Sequence, residues 1–299
     1  MSLGGFIEIV NPSLYHEYRV DMFRENNPGH VSKQVDVDKN LFKTSTVLDV
    51  PMAHEVLRDS ERLDSLDPSH DAVRYIREKR RLGDNVLNRL WFVEDIRLIA
   101  HRIERYRDID IRSVVRAVVI PFMDETGTKI SYVQCRSIDP DVSESLRYIT
   151  LEVDESAPKI FGLDHVDWSK HVWITEGPFD ALIVPNTISV AGISLLSENK
   201  YISDRAKAGF TFVFDRDYQS NYQVYSQLKK AVDDGQSVLL YNNAFPGKKD
   251  LNDAIVAGWS VNQLEQYMTS RRRSGLTAKL DLSTFKAPLP NPDRVIRKR

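Results

Sequence analysis

The chain has 299 residues, 41% of them hydrophobic and 28% charged, with a formal net charge of −2. This is an ordinary globular composition with room for two domains, and no apolar run approaches the ~18–20 residues of a membrane span. The N-terminus lacks a signal-peptide pattern, and the single cysteine, Cys135, excludes an internal disulfide and a Cys-rich zinc site. A reducing, cytoplasmic setting is expected.

Residues 14–24 read as a short helix, Asn26-Asn27-Pro28-Gly29 as a turn, and residues 33–49 alternate weakly, as a strand pair does. From residue 68 to 106 the period becomes helical. Ser69 is placed to cap a helix whose apolar face is Ala72, Val73 and Ile76, with Arg74, Arg77, Lys79, Arg80 and Arg81 on its other faces. Gly83 reads as its stop. Val86, Leu87 and Leu90 begin a second short helix leading to Trp91-Phe92, and Ile96, Ile99, Ala100 and Ile103 mark a third. Trp91 and Phe92 stand beside arginines, as base-stacking residues do, but core packing is the expected role.

Residues 114–163 read as strands. A β-type run over 114–123 meets the hairpin loop Asp124-Glu125-Thr126-Gly127, and residues 129–138 return with Arg136 near their end. Segment 146–150 carries Arg147-Tyr148, and segment 158–163 carries Lys159 ahead of Phe161-Gly162-Leu163.

Beyond residue 171, apolar runs and helical segments alternate regularly. Strands are expected at 172–175, 188–191 (ending at Gly192), 210–214 and 236–241. Helices are expected at 178–184, with Pro178 in the tolerated first turn, and at 199–208, 220–233, 250–257 and 259–271. Strand alternating with helix implies an α/β class, a mostly parallel sheet with right-handed crossovers and flanking helices. A smaller mixed α+β part precedes it. Four parts are expected: residues 1–67 of uncertain role, a basic helical and β subdomain at 68–165, the α/β domain at 166–270, and a basic tail at 271–299.

Charge is unevenly spread. Residues 74–107 hold ten Lys/Arg against five Asp/Glu, and residues 271–299 hold nine against two. Two basic stretches flank an acidic middle, as surfaces that grip phosphate backbones on either side of metal carboxylates would. A solvated helix face and a plain tail are the simpler explanations.

Three apolar runs end abruptly on acidic residues: Glu176-Gly177 and Asp180 after the first, Asp215-x-Asp217 after another, and Asp250 after Pro246-Gly247-Lys248-Lys249. Ligands bind at the carboxyl ends of parallel strands, so these groups should converge on one sheet edge. Carboxylates without thiol or histidine neighbours suit hard cations such as Mg²⁺ or Mn²⁺, not zinc. Asp180 also suits a helix N-terminus by charge alone. Lys248 and Lys249 either offset the carboxylates or are solvated. Gly247-Lys248 lacks the spacing of a phosphate loop. His171, ahead of a buried strand, is expected to be structural.

The order Glu176-Gly177, Asp215-x-Asp217, Asp250 resembles the Toprim domain of bacterial and phage-type primases, also found in topoisomerases and some nucleases. Arg136, Arg147-Tyr148 and Lys159 before Phe161-Gly162-Leu163 resemble the subdomain that precedes Toprim in primases and is lacking in the other two groups. The likeness covers residues 114–257, about half the chain. It implies a DNA primase that joins ribonucleoside triphosphates on a single-stranded DNA template. Glu176, Asp215 and Asp217 would be catalytic and metal-binding, with Asp250 and Asp180 as further ligands. Arg136, Arg147, Tyr148 and Lys159 would hold nucleotide or nucleic acid. Two departures stand out: a zinc ribbon is missing, and Tyr218-Gln219-Ser220-Asn221 replaces the usual Gly-containing turn after the Asp pair. A replicative helicase is expected on a separate protein. A Toprim nucleic-acid-binding factor without catalysis, and a Toprim nuclease, are the alternatives.

Overall fold

The computed structural model describes residues 52–108, 114–191, 195–285 and 287–289. The elements expected at 14–24 and 33–49, and the strand end at Gly192, lie outside them. Two sheets share one core. The first is antiparallel, in the order β1 (Glu61–Arg62), β2 (Trp91–Val93), β3 (Ala117–Met123), β4 (Ile130–Ser137) and β5 (Tyr148–Glu152). Every residue of β3 is buried, and the reason is that both faces of the strand are covered. Alternate side chains point to opposite faces. Val118, Ile120 and Phe122 join the core shared with the second sheet. Ala117, Val119 and Met123 join a second cluster with Ile96, Ile99 and Val133.

The helix expected from Ser69 starts at Asp71 instead. His70 caps it, its Nδ1 accepting the Ala72 N–H at 3.2 Å, while Ser69 is held by Asp67. The helix is regular over Asp71–Arg74 and widens to a π-turn over Tyr75–Lys79. Ala72, Val73 and Ile76 are buried as expected. Gly83 is an opening rather than a stop, since it precedes the 3₁₀ turn Asp84–Arg89. Trp91 and Phe92 lie on a strand, and Phe92 is buried in the core.

The second sheet runs β11-β10-β9-β7-β8-β6: β6 (Ile160–Phe161), β7 (Val172–Thr175), β8 (Thr187–Val190), β9 (Phe210–Val213), β10 (Val238–Leu239) and β11 (Arg272–Arg273). Its four inner strands are parallel, and each edge strand is antiparallel. Segment 158–163 thus belongs by pairing to the second sheet, not to the strand unit before it. Helices Pro178–Ala181, Asn199–Arg205, Tyr222–Asp233, Leu251–Val256 and Val261–Arg271 alternate with these strands. The two sheets are also joined outside the core, where Tyr201 and Arg205 both bond Glu125 of the β3–β4 hairpin, at 2.6 and 2.9 Å.

Candidate active-site cleft

Parallel strands β7 and β9 are hydrogen-bonded neighbours with Thr175 opposite Val213, so the residues that follow them leave the sheet together. Glu176 and Asp215 therefore meet: a Glu176 carboxylate oxygen accepts the Asp215 N–H at 3.1 Å. The strand breaks at Val213, and the 3₁₀ turn Arg216–Gln219 takes the chain away from the sheet. Asp217 lies in that turn, with Oδ1 buried and without a hydrogen-bond partner among the described residues. Asp180 and Asp250 complete the acidic group. Asp180 is buried in the first turn of Pro178–Ala181 and accepts the Asn252 N–H at 2.8 Å. Asp250 caps Leu251–Val256 by accepting the Asp253 N–H at 2.9 Å. Gly247 has no room for a side chain: a Cβ there would stand 2.5 Å from the Phe245 ring and 2.9 Å from the Asp250 carbonyl. Only glycine lets the chain pass so close on its way to Asp250.

Glu176, Asp180, Asp215 and Asp250 line one cleft of about 340 Å³. Its opposite wall is one face of β4 and β5. Gln134 pairs with Thr150 and Arg136 with Tyr148, and side chains two apart on a strand share a face. Gln134, Tyr148 and Thr150 thus reach the cleft, and Lys159 joins them. Arg136 stacks its guanidinium over the Tyr148 ring at 4.1 Å and donates to the Tyr75 hydroxyl at 3.0 Å. Arg147 is exposed at the end of helix Glu144–Arg147 and is not among the residues lining the cleft.

Arg80, which the sequence places on a helix face among other cations, is the residue that pattern reasoning missed. It lines the cleft, donates to the hydroxyls of Tyr75 and Tyr148 at 3.0 and 2.8 Å and to Asn252 Oδ1 at 3.2 Å. Its guanidinium lies 4.4 Å from the Phe179 ring centroid. The available signal was its place just past an apolar helical stripe, where a side chain can turn back over the core. The other arginines of this stretch are largely committed to nearby carboxylates: Arg74 to Glu78, Arg77 to Asp84, Arg97 to Asp95, Arg102 to Asp59 and Arg105 to Glu152.

Burial, then Glu176, pushes the Asp215 carboxyl up to about 7, although Lys249 opposes this from 2.9 Å. Burial raises Glu176 and Asp250 too, and Asp180 is held well above the usual carboxylate range by burial and by Asp250 and Asp215. Burial outweighs the cations beside these carboxyls, Lys249 and Arg80, which oppose the rise. Of the lysine pair, both exposed, Lys249 has its ammonium 2.9 Å from Asp215 and so offsets the carboxylates. His171 is structural, with Nε2 bonded to Thr211 at 2.9 Å and its ring edge-on to Trp173. Among the described residues no three His, Cys, Asp or Glu side chains are gathered closely enough to enclose an ion as they stand.

No family model matches the chain. Solved structures of similar fold include the DnaG primase catalytic domain bound to ssDNA, at TM-score 0.55 and 16% identity, covering 79% of this chain and 82% of that one. Another is the RNA polymerase domain of Mycobacterium tuberculosis primase DnaG with a double-stranded DNA oligomer bearing a 6-nucleotide overhang, at TM-score 0.56 and 13% identity, covering 78% and 84%. In fold, with its acidic sheet edge facing a β4–β5 platform, the chain is similar to the DnaG primase catalytic domains. Among individual proteins it is similar to the DNA primase of Enterobacteria phage T4, 27% identical over 284 residues that make up 95% of this chain and 78% of the relative.

Proposed function

We propose that this chain is a DNA primase: a nucleotidyltransferase that makes short RNA primers on single-stranded DNA during DNA replication of the phage type, with a separate replicative helicase as partner. The observation that carries the reading is the Glu176–Asp215 contact at 3.1 Å, which brings two acidic groups distant in sequence to one sheet edge opposite Arg80 and Lys159. The similar DnaG catalytic domain bound to ssDNA supports the choice of template.

The donor set suits a divalent ion. Carboxylate oxygens are hard ligands, Asp217 Oδ1 is a buried acceptor with nothing to accept from among the described residues, and burial raises the carboxyls of Glu176, Asp215 and Asp250 despite the cations beside them. Glu176, Asp215 and Asp217 would hold Mg²⁺ or Mn²⁺, with Asp250 and Asp180 as further ligands. Bound ions supply charge neutralisation for phosphoryl transfer and acidify the attacking 3′ hydroxyl.

The chain's own residues do the positioning. Lys159, half-buried, and Arg80 present cations across the cleft, where they would orient a triphosphate for in-line attack. Tyr148, 46% exposed, and the Arg136 guanidinium stacked on it offer a platform for a base. Arg147, exposed beside them, would hold the template backbone. Glu176, whose carboxyl burial raises above the usual glutamate range, would take a proton.

The second reading, a nucleic-acid-binding factor without catalysis, is favoured by one feature: Lys249 already sits on Asp215. A single assay separates the readings. Ribonucleotides, single-stranded template and Mg²⁺ should give short RNA products with wild type, reduced by about 10²-fold or more in Asp215→Ala, the scale lost when one charge-stabilising group is removed. Template binding without synthesis supports the second reading, and template degradation supports a nuclease.

A further inference from the structure

A second cavity lies away from the carboxylates. It measures about 510 Å³ and shares no lining residue with the acidic cleft. Leu57, Trp91, Pro121, Met123 and Phe161 form its apolar wall, and His54, Asn88, Arg89, Asp164 and His165 its polar one. Small-molecule sites have this size and make-up, an apolar body with a few convergent polar groups. A smaller hollow of about 160 Å³ adjoins it through Arg89 and His165, which line both, and adds Asn85, Asn186 and Thr187.

Arg89 is the unusual member. Its Nη2 is buried and bonds nothing among the described residues, and the same is true of Thr187 Oγ1. Both residues line the small hollow, and Gly162 lies between Arg89 Nη2 and the Thr187 backbone: a Cβ there would stand 3.7 Å from the first and 3.4 Å from the Thr187 carbonyl. Nearby Asp164 does not pair with the arginine but is 3.1 Å from His165 Nε2. The guanidinium rests over the Phe161 ring at 5.0 Å. A buried guanidinium nitrogen without a hydrogen-bonded acceptor has lost its hydration for only the contact with the Phe161 ring. Such a group persists where an anion supplies the acceptor. Arginine's fork matches phosphate oxygens in particular.

We propose that these joined hollows bind a nucleoside phosphate, separately from the carboxylate cleft: Arg89 and Thr187 take the phosphate in the small hollow, and the flat base lies against Trp91 and Met123 in the large one. Volume decides the body, since about 510 Å³ exceeds what a bare phosphate or a carboxylate side chain would fill. Apolar walls beside a single strong cation decide the chemistry, a ring joined to an anion. The inference does not depend on the primase reading, because none of the groups involved belongs to the acidic cleft.

The test uses the full chain carrying Asp215→Ala, in EDTA, so that metal-dependent binding at the acidic cleft is silenced. ADP should bind with one-to-one stoichiometry by titration calorimetry, and adenosine should bind at least tenfold more weakly. Photo-crosslinking with 8-azido-ADP should label a peptide containing Trp91 or Met123. Adding Arg89→Leu, which keeps an apolar body against Phe161, should weaken ADP binding at least tenfold. His54→Glu, at an exposed position on the rim, should weaken it severalfold by placing an anion at the mouth and leaves the core untouched should Arg89→Leu fail to fold. Absence of ADP binding, equal binding of adenosine, indifference to His54→Glu, or a crosslink on the peptide around residue 215 would each overturn the proposal.

Discussion

Asp215 is where burial, a neighbouring carboxylate and a lysine act on one side chain. Because its folded-state carboxyl is raised to about 7, the fold favours the protonated form. That contribution is fully present below the unfolded value near 4 and is lost as pH rises through 7. The metal-free protein should therefore lose stability between about pH 4 and 7. Asp215→Asn should raise its melting temperature at pH 8 and change it little at pH 5, as thermal unfolding in EDTA would read. A larger stabilisation at pH 5 than at pH 8 would show the sign to be wrong. Mg²⁺ should stabilise wild type more at pH 8 than at pH 6, because the ligands must be deprotonated to bind.

At the scale of elements, Asn252 connects three. Its side chain donates to the Arg80 carbonyl at 2.7 Å and accepts from the Arg80 guanidinium at 3.2 Å, while its N–H bonds Asp180. Asn252→Ala should cost about 1–3 kcal/mol by urea denaturation, the penalty for stranding buried polar groups, and should lower primer synthesis through Arg80. Strand β3, covered on both faces, is the other sensitive element. Ile120→Ala should cost about 2–5 kcal/mol, and a loss below ~1 kcal/mol would mean that the two sheets do not pack as described. The β3–β4 hairpin and the alternation after residue 171 were legible, since turn residues and apolar periods are local signals. The helix start at Asp71 was not, because His70 caps it with a ring nitrogen where Ser69 was the better-known capping type. Segment 158–163 was also misplaced: its sequence reads as a strand, but which sheet completes it depends on the partner β8.

Across the whole molecule, a net charge of −2 hides a cleft with one acidic wall and one basic wall. Single-stranded DNA affinity should fall linearly with the logarithm of salt concentration, by about 0.7 for each phosphate contacted. Arg147→Gln, at the residue assigned to the template backbone, should therefore reduce that slope by about 0.7, read by fluorescence anisotropy across a salt series. Replacing Arg80 and Lys159 by glutamine should change the slope less, because those cations line the cleft where the triphosphate would sit.

By itself the sequence determined the acidic sheet edge. Glu176 and Asp215 each follow an apolar run that reads as a buried strand, and parallel strands present their carboxyl ends to one edge, whereas Asp250 follows the turn Pro246-Gly247-Lys248-Lys249. It could not decide which cations face that edge. Arg80 and Arg147 look equivalent as letters beside apolar neighbours. Only packing turns one across Phe179 into the cleft and leaves the other in solvent, and only packing leaves Arg89 Nη2 buried without an acceptor among the described residues. Periodicity is written along the chain, whereas the direction of a long side chain is set by whatever the fold brings against it.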